Sequence, residues 1–193
     1  WSYAKLLVCD KELFEAAAEE ILRRGLDYLS VMPQNISNTI WSYGAVTVRP
    51  PALMDALVSH VTSNRRYYDR LTDIRPLTKS SRAQLAMTVL SLHRLGLDAC
   101  AWHLFDRVAA DGLQAGGEAY SNWLFICGAT GDKRREIDVW EQMAKTSHTR
   151  GLQAACWNCA IKRCIVHGDL RRAELFLQAV DAQGLCNPMS EHL

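Results

Sequence analysis

The chain has 193 residues, 49% of them hydrophobic, and a formal net charge of +1, which suits one compact domain or one short repeat array with a sizeable core. No apolar run approaches the roughly 18 residues of a membrane span: Ala83 to Leu92 is already interrupted by Gln84, Thr88 and Ser91, so a soluble protein with no membrane span is expected. Most of the seven cysteines fall inside apolar helical stretches, where a reduced thiol packs as a small hydrophobe, and a reducing compartment is expected rather than a disulfide scaffold.

In chain order, the pattern predicts helices broken by short turns. Ser2 to Val8 reads as the remnant of a first helix, and Asp10 is placed to cap a second that runs to about Arg24 and ends at Gly25. Pro33 or its neighbour starts the next helix, with Ile36, Ile40, Trp41 and Tyr43 at helical spacing. Pro50 and Pro51 fit the first turn of its partner, where a missing amide hydrogen costs nothing. Residues 63–78 are polar, contain Pro76 and read as a linker or irregular segment between two styles of repeat. Downstream, Gly131-Asp132 and Gly168-Asp169 each supply a left-handed glycine to end one helix and a carboxylate to cap the next, the signature of helix-turn-helix hairpins.

The sequence repeats itself at two periods. Trp1-Ser-Tyr-Ala4 recurs forty residues on as Trp41-Ser-Tyr-Gly44, and Leu13-Phe14-x-Ala16 recurs as Leu53-Met54-x-Ala56. Leu85, Gly96, Ala101, Phe105, Val108 and Gly112 are answered thirty-five residues later by Tyr120, Gly131, Glu136, Trp140, Met143 and Ser147. Thirty-seven further on come Trp157, Gly168, Ala173, Leu177, Val180 and Gly184. Periods of about 20–50 residues mark stacked units that cannot bury their apolar faces alone. The expected fold is all-α, a short right-handed α-solenoid of stacked helix-turn-helix repeats. Its parts are residues 1–62, the segment 63–78, and residues 79–193 as units of about 83–117, 118–154 and 155–190. Trp41, Leu90, Phe105, Trp140, Trp157 and Leu177 are expected in the core, and Glu136, where its counterparts are Ala101 and Ala173, is expected to loosen the middle unit. Because the chain opens at Trp1, inside a repeat signature and without a methionine, the ordered part of a longer or processed precursor is expected.

Residues 79–193 resemble pentatricopeptide repeats. The best unit carries Trp157-Asn158, Gly168-Asp-Leu170, Ala173, Val180, Gly184-Leu185 and Pro188. The first half is similar to octotricopeptide repeats and the helical repeats beside RAP domains, through Pro33-Gln-Asn-Ile-Ser-Asn-Thr-Ile-Trp-Ser-Tyr-Gly44 and Pro50-Pro-Ala-Leu-Met-Asp-Ala56. Both resemblances imply RNA as partner and a mitochondrial location, with the chloroplast as the alternative. Carried over, the base-reading positions fall on Met87 with Gly117, Asn122 with Ala154, and Cys159 with a residue near Met189. Of these only Asn122 has hydrogen-bonding character suited to reading a base edge, so base readout is expected to be absent or reduced to Asn122.

Charge supports contact with the RNA backbone. Residues 133–172 carry nine basic and four acidic side chains, whereas residues 1–30 carry four basic and six acidic. Lys133, Arg134, Arg135, Lys162, Arg163, Arg171 and Arg172, with Arg65 and Arg66, are the candidate phosphate contacts, adding affinity and salt dependence without specificity. The tryptophans read as core rather than as base-stacking platforms. Cys156, Cys159, Cys164 and His167 are too spread along one helix to converge on zinc, since the first and last would stand about 16 Å apart, and no metal or cofactor is expected. No catalytic motif appears in the sequence, so no enzyme activity is expected. The expected function is a structural component of a mitochondrial ribonucleoprotein such as the mitoribosome, binding RNA mainly through phosphates. The alternatives are a protein-binding scaffold within an organellar complex, gripping neighbouring proteins, or a transcript-specific stability or processing factor.

Overall fold

A computed structural model describes residues 2–6, 9–29, 33–72, 79–146, 157–158, 160–162, 164–165 and 168–182. The described residues form helices joined by turns, with no strand among them. The helices are α1 (Ser2–Lys5), α2 (Lys11–Arg24), α3 (Leu26–Leu29), α4 (Pro33–Val46), α5 (Pro51–Ser63), α6 (Arg65–Thr72), α7 (Lys79–Arg94), α8 (Asp98–Ala110), α9 (Gly117–Thr130), α10 (Lys133–Thr146) and α11 (Leu170–Ala182). The described residues between 157 and 165 are helical as well.

The boundaries follow local chemistry. Asp10 Oδ1 accepts from the Leu13 amide at 3.0 Å, capping α2, and Pro51 opens α5 at its first position. Gly131 takes a left-handed φ of 73° after α9, and Asp132 Oδ1 then accepts from the Arg135 amide at 3.0 Å. The same device recurs before α11, where Gly168 has φ 75° and Asp169 Oδ1 accepts from the Arg172 amide at 3.1 Å.

Helices pack in two rows. In the first row α1 lies against α4, α4 against α7 and α7 against α9; in the second α2 lies against α5 and α5 against α8. The first row is close-set. A Cβ on Gly44 would stand 3.2 Å from the Ser91 carbonyl oxygen, a tight contact, so glycine eases the close approach of α4 and α7 where the first repeat has Ala4. Across the same contact Thr88 Oγ1 donates to Ser37 Oγ at 2.8 Å, beside the fully buried phenol of Tyr67. One core cluster runs through the array, from Ala4 and Phe14 to Phe176 and Val180.

Residues 65–72 depart from the irregular segment expected there. They form α6, which buries Tyr67 and Tyr68, while the remainder, 73–78, lies outside the described residues. Among the expected core residues, Phe105 and Trp157 are buried, Trp41 and Trp140 are partly buried against the core, and Leu90 is partly exposed. Leu177 is the exception at 48% exposed. Its counterparts are covered by the following unit: Phe105 meets Trp123 with ring centroids 5.1 Å apart, and Trp140 stacks on Trp157 at 3.9 Å. Among the described residues, none covers Leu177 in this way.

Candidate nucleic-acid interface

Cross-links join the turns of successive hairpins along an edge of the array. Arg49, in the turn after α4, donates from Nη2 to the Arg94 carbonyl at the end of α7 at 2.8 Å, which ties two successive turns together. Glu136 and Arg172, near the starts of α10 and α11, meet at 3.6 Å and tie the next two. Sequence reasoning passed over Arg49 and Arg94. The available signal was position, since each lies beside a turn equivalent to Gly131-Asp132.

On this edge α10 begins Lys133-Arg134-Arg135, and α11 begins Leu170-Arg171-Arg172. The amino end of a helix carries the positive end of its dipole, where acidic side chains are favoured and cations cost stability. Asp132 and Asp169 cap the two helices and α10 has Glu136 in its first turn, whereas the first turn of α11, past its cap, holds no acidic residue.

The cations divide into two kinds. Arg134, Arg171 and Lys162 are exposed. Lys133 is exposed too, its Nζ 3.3 Å from Glu136 Oε2. Arg65 and Arg66 lie on α6, away from this edge, both exposed, with Arg65 3.5 Å from Asp69. Arg163 lies outside the described residues.

Arg135 and Arg172 are structural. Arg135 reaches back to α8, grips both carboxylate oxygens of Asp106 and lies over the Trp102 ring at 5.1 Å. The hydrogen bonds to Asp106 raise its pKa further. Arg172 lies across α9 at Gly128, where an added Cβ would collide with its Nη1. There it meets Glu136, each side chain only 15% exposed, and Asp169 at 3.8 Å. These two guanidiniums are committed to neighbouring carboxylates and are removed from the phosphate-binding set.

Asn122 also departs from its expected role. It is 2% exposed and donates from Nδ2 to the Ala86 carbonyl at 2.7 Å, so it joins α9 to α7 and presents no edge to a base. Met87 and Gly117 are partly exposed, whereas Ala154, Cys159 and Met189 lie outside the described residues. Trp123 is fully buried and donates from Nε1 to the Ala101 carbonyl at 2.9 Å, consistent with its reading as core.

Cys164 is buried, and burial raises its thiol pKa; Cys156, Cys159 and His167 lie outside the described residues. Among the described residues, no helix is long and apolar enough to cross a membrane.

No family model, curated protein or solved structure matches this chain.

Proposed function

We propose that the chain is a non-catalytic α-solenoid of stacked helical hairpins that binds RNA mainly through its phosphate backbone, as a structural component of a mitochondrial ribonucleoprotein such as the mitoribosome. The observation that carries this reading is the placement of Lys133, Arg134 and Arg171 in the first turns of two successive helices on one edge. Cations there oppose the helix dipoles, and a bound polyanion relieves that repulsion. RNA rather than another polyanion, and the organelle, come from the resemblance to pentatricopeptide and octotricopeptide repeats. Asn122 is excluded from the contact set by its burial, so binding is expected without base preference.

The test is RNA binding by the wild-type chain and by a variant combining Arg134→Glu, Lys162→Glu and Arg171→Glu, which spares Arg135 and Arg172. Loss of binding with helicity unchanged supports the reading. Undiminished binding refutes it.

A second reading, a scaffold for neighbouring proteins, is favoured by the exposed apolar side chains. Leu6, Leu13 and Tyr28 lie in the first units and Ile165, Leu170, Leu175 and Leu177 in the last, with Ile137 between them. Exposed apolar side chains favour packing of a partner's helices. Under this reading the triple reversal is tolerated, and association with partners fails on Leu177→Glu.

A further inference from the structure

A cavity of about 630 Å³ opens at the other end of the molecule, between α2, α3, α5 and α6. That volume falls in the range of small-molecule sites, roughly 300–1,000 Å³. Its walls differ in chemistry. Leu22, Leu26 and Ala56 supply apolar surface, Arg65 and Arg66 supply cations, and Asp27 supplies a carboxylate. Both arginines are exposed, and Arg65 makes a surface pairing with Asp69, 3.5 Å away.

The polar wall is ordered by Asn64. Its Oδ1 accepts from the Tyr67 amide at 3.0 Å, which fixes the side-chain orientation. Its Nδ2 therefore faces Asp27 Oδ1 at 3.0 Å and His60 Nδ1 at 3.4 Å. As Nδ2 is a donor, His60 Nδ1 accepts, and the ring proton sits on Nε2, a buried atom without a hydrogen-bond partner among the described residues. Burial lowers the His60 pKa against the opposing pull of Asp27. The imidazole is thus a rigid backing, packed on Tyr67 with ring centroids 5.5 Å apart. Asp27 stands in front of it with its side chain 90% exposed, and a carboxylate offers about four acceptor sites.

The geometry points to a ribonucleotide site: a base lying on Leu22, Leu26 and Ala56, a ribose 2′-hydroxyl donating to the Asp27 carboxylate, and a 5′-phosphate held by Arg65 and Arg66. An apolar floor suits the face of a base, and a hydroxyl-accepting carboxylate separates ribose from deoxyribose. Paired guanidiniums suit phosphate oxygens. The site goes beyond the basic edge and stands or falls separately from it.

The probes are adenosine 5′-monophosphate and its 2′-deoxy form, titrated by calorimetry into the whole chain. Saturable binding of the ribonucleotide, at least tenfold tighter than the deoxy form, is expected. Arg65→Glu with Arg66→Glu, both exposed positions, should weaken it at least tenfold, and Asp27→Asn should erase the ribose preference. Ala56→Trp should fill the floor and abolish binding, with circular dichroism confirming the fold. If Ala56→Trp also weakens binding of a single-stranded RNA, the occupant is a nucleotide of the strand; if RNA binding is unchanged, it is a free nucleotide. No binding at millimolar nucleotide, or equal binding by the arginine and tryptophan variants, overturns the site. Equal affinity for the two probes overturns the role of Asp27. The Arg134, Lys162 and Arg171 reversal should leave nucleotide binding intact, so loss of RNA binding there with the nucleotide still bound separates this site from the edge.

Discussion

Asn122 shows how one side chain changes meaning once its surroundings are known. Its amide bridges α9 to the Ala86 carbonyl of α7, a buried hydrogen bond worth about 1 kcal/mol net, with more lost when a partner is left unsatisfied. Asn122→Ala is expected to cost about 1–2 kcal/mol in chemical denaturation and to leave RNA affinity unchanged. Asn122→Asp, which sets an oxygen against an oxygen, should cost more. Cys127 gives a second test at this scale. Burial, with Glu136 and Asp132 adding to it, pushes its thiol up to about 12, while the same thiol in the unfolded chain ionises near its ordinary value of about 8.5. Stability from this group is therefore complete below about pH 8.5 and declines as pH rises towards 12. Cys127→Ala should flatten the alkaline fall in melting temperature. An unchanged slope would mean that the thiol is not protected.

At the scale of elements, α10 and α11 are joined by a set of coordinated departures from the repeat. Where the neighbouring units place Ala101 and Ala173, this one has Glu136, and the sequence alone implied a looser unit. The structure answers the glutamate with Arg172, and Gly128 leaves the room that the guanidinium occupies. Removing one partner strands a partly buried charge, so Glu136→Ala should destabilise by about 1–3 kcal/mol although it restores the small residue of its neighbours. Gly128→Ala normally gains about 1 kcal/mol inside a helix, but here it displaces Arg172. The gain should appear only in an Arg172→Ala background, and a double-mutant cycle reads the coupling directly. The hairpin turns were legible beforehand because glycine and aspartate act within three residues of themselves. Helix α6 was not, because Arg65, Arg66, Asp69 and Arg70 surround the buried pair Tyr67 and Tyr68 and mask the apolar stripe. The fate of Arg135 was equally hidden, since its partner Asp106 lies 29 positions away.

Across the whole molecule, the all-helical character and the repeat spacing could be read from the sequence, because a recurring apolar pattern has to be buried the same way each time. The charged surface could not, since a basic run records composition and not which side chains are paired. Of the cations expected to meet phosphate, Arg135 and Arg172 turn inward to carboxylates, and Arg134, Lys162 and Arg171 remain exposed. Leu177 was misjudged for a related reason: its counterparts Phe105 and Trp140 are covered by the unit that follows each. Cover belongs to the array and not to the residue. Leu177→Ser should therefore cost little stability, under about 1 kcal/mol, whereas Phe105→Ala should cost about 3–5 kcal/mol, as thermal melts of the two variants would show.

Whether phosphates hold the RNA is decided by the salt dependence of RNA affinity, compared between the wild-type chain and the Arg134, Lys162 and Arg171 reversal. Each phosphate contact on a single strand contributes about 0.7 to the slope of log affinity against log salt. The account expects a steep wild-type slope, reduced by about 2 in the variant, with equal affinity for unrelated sequences. A flat wild-type slope, or the same slope in both proteins, would contradict it.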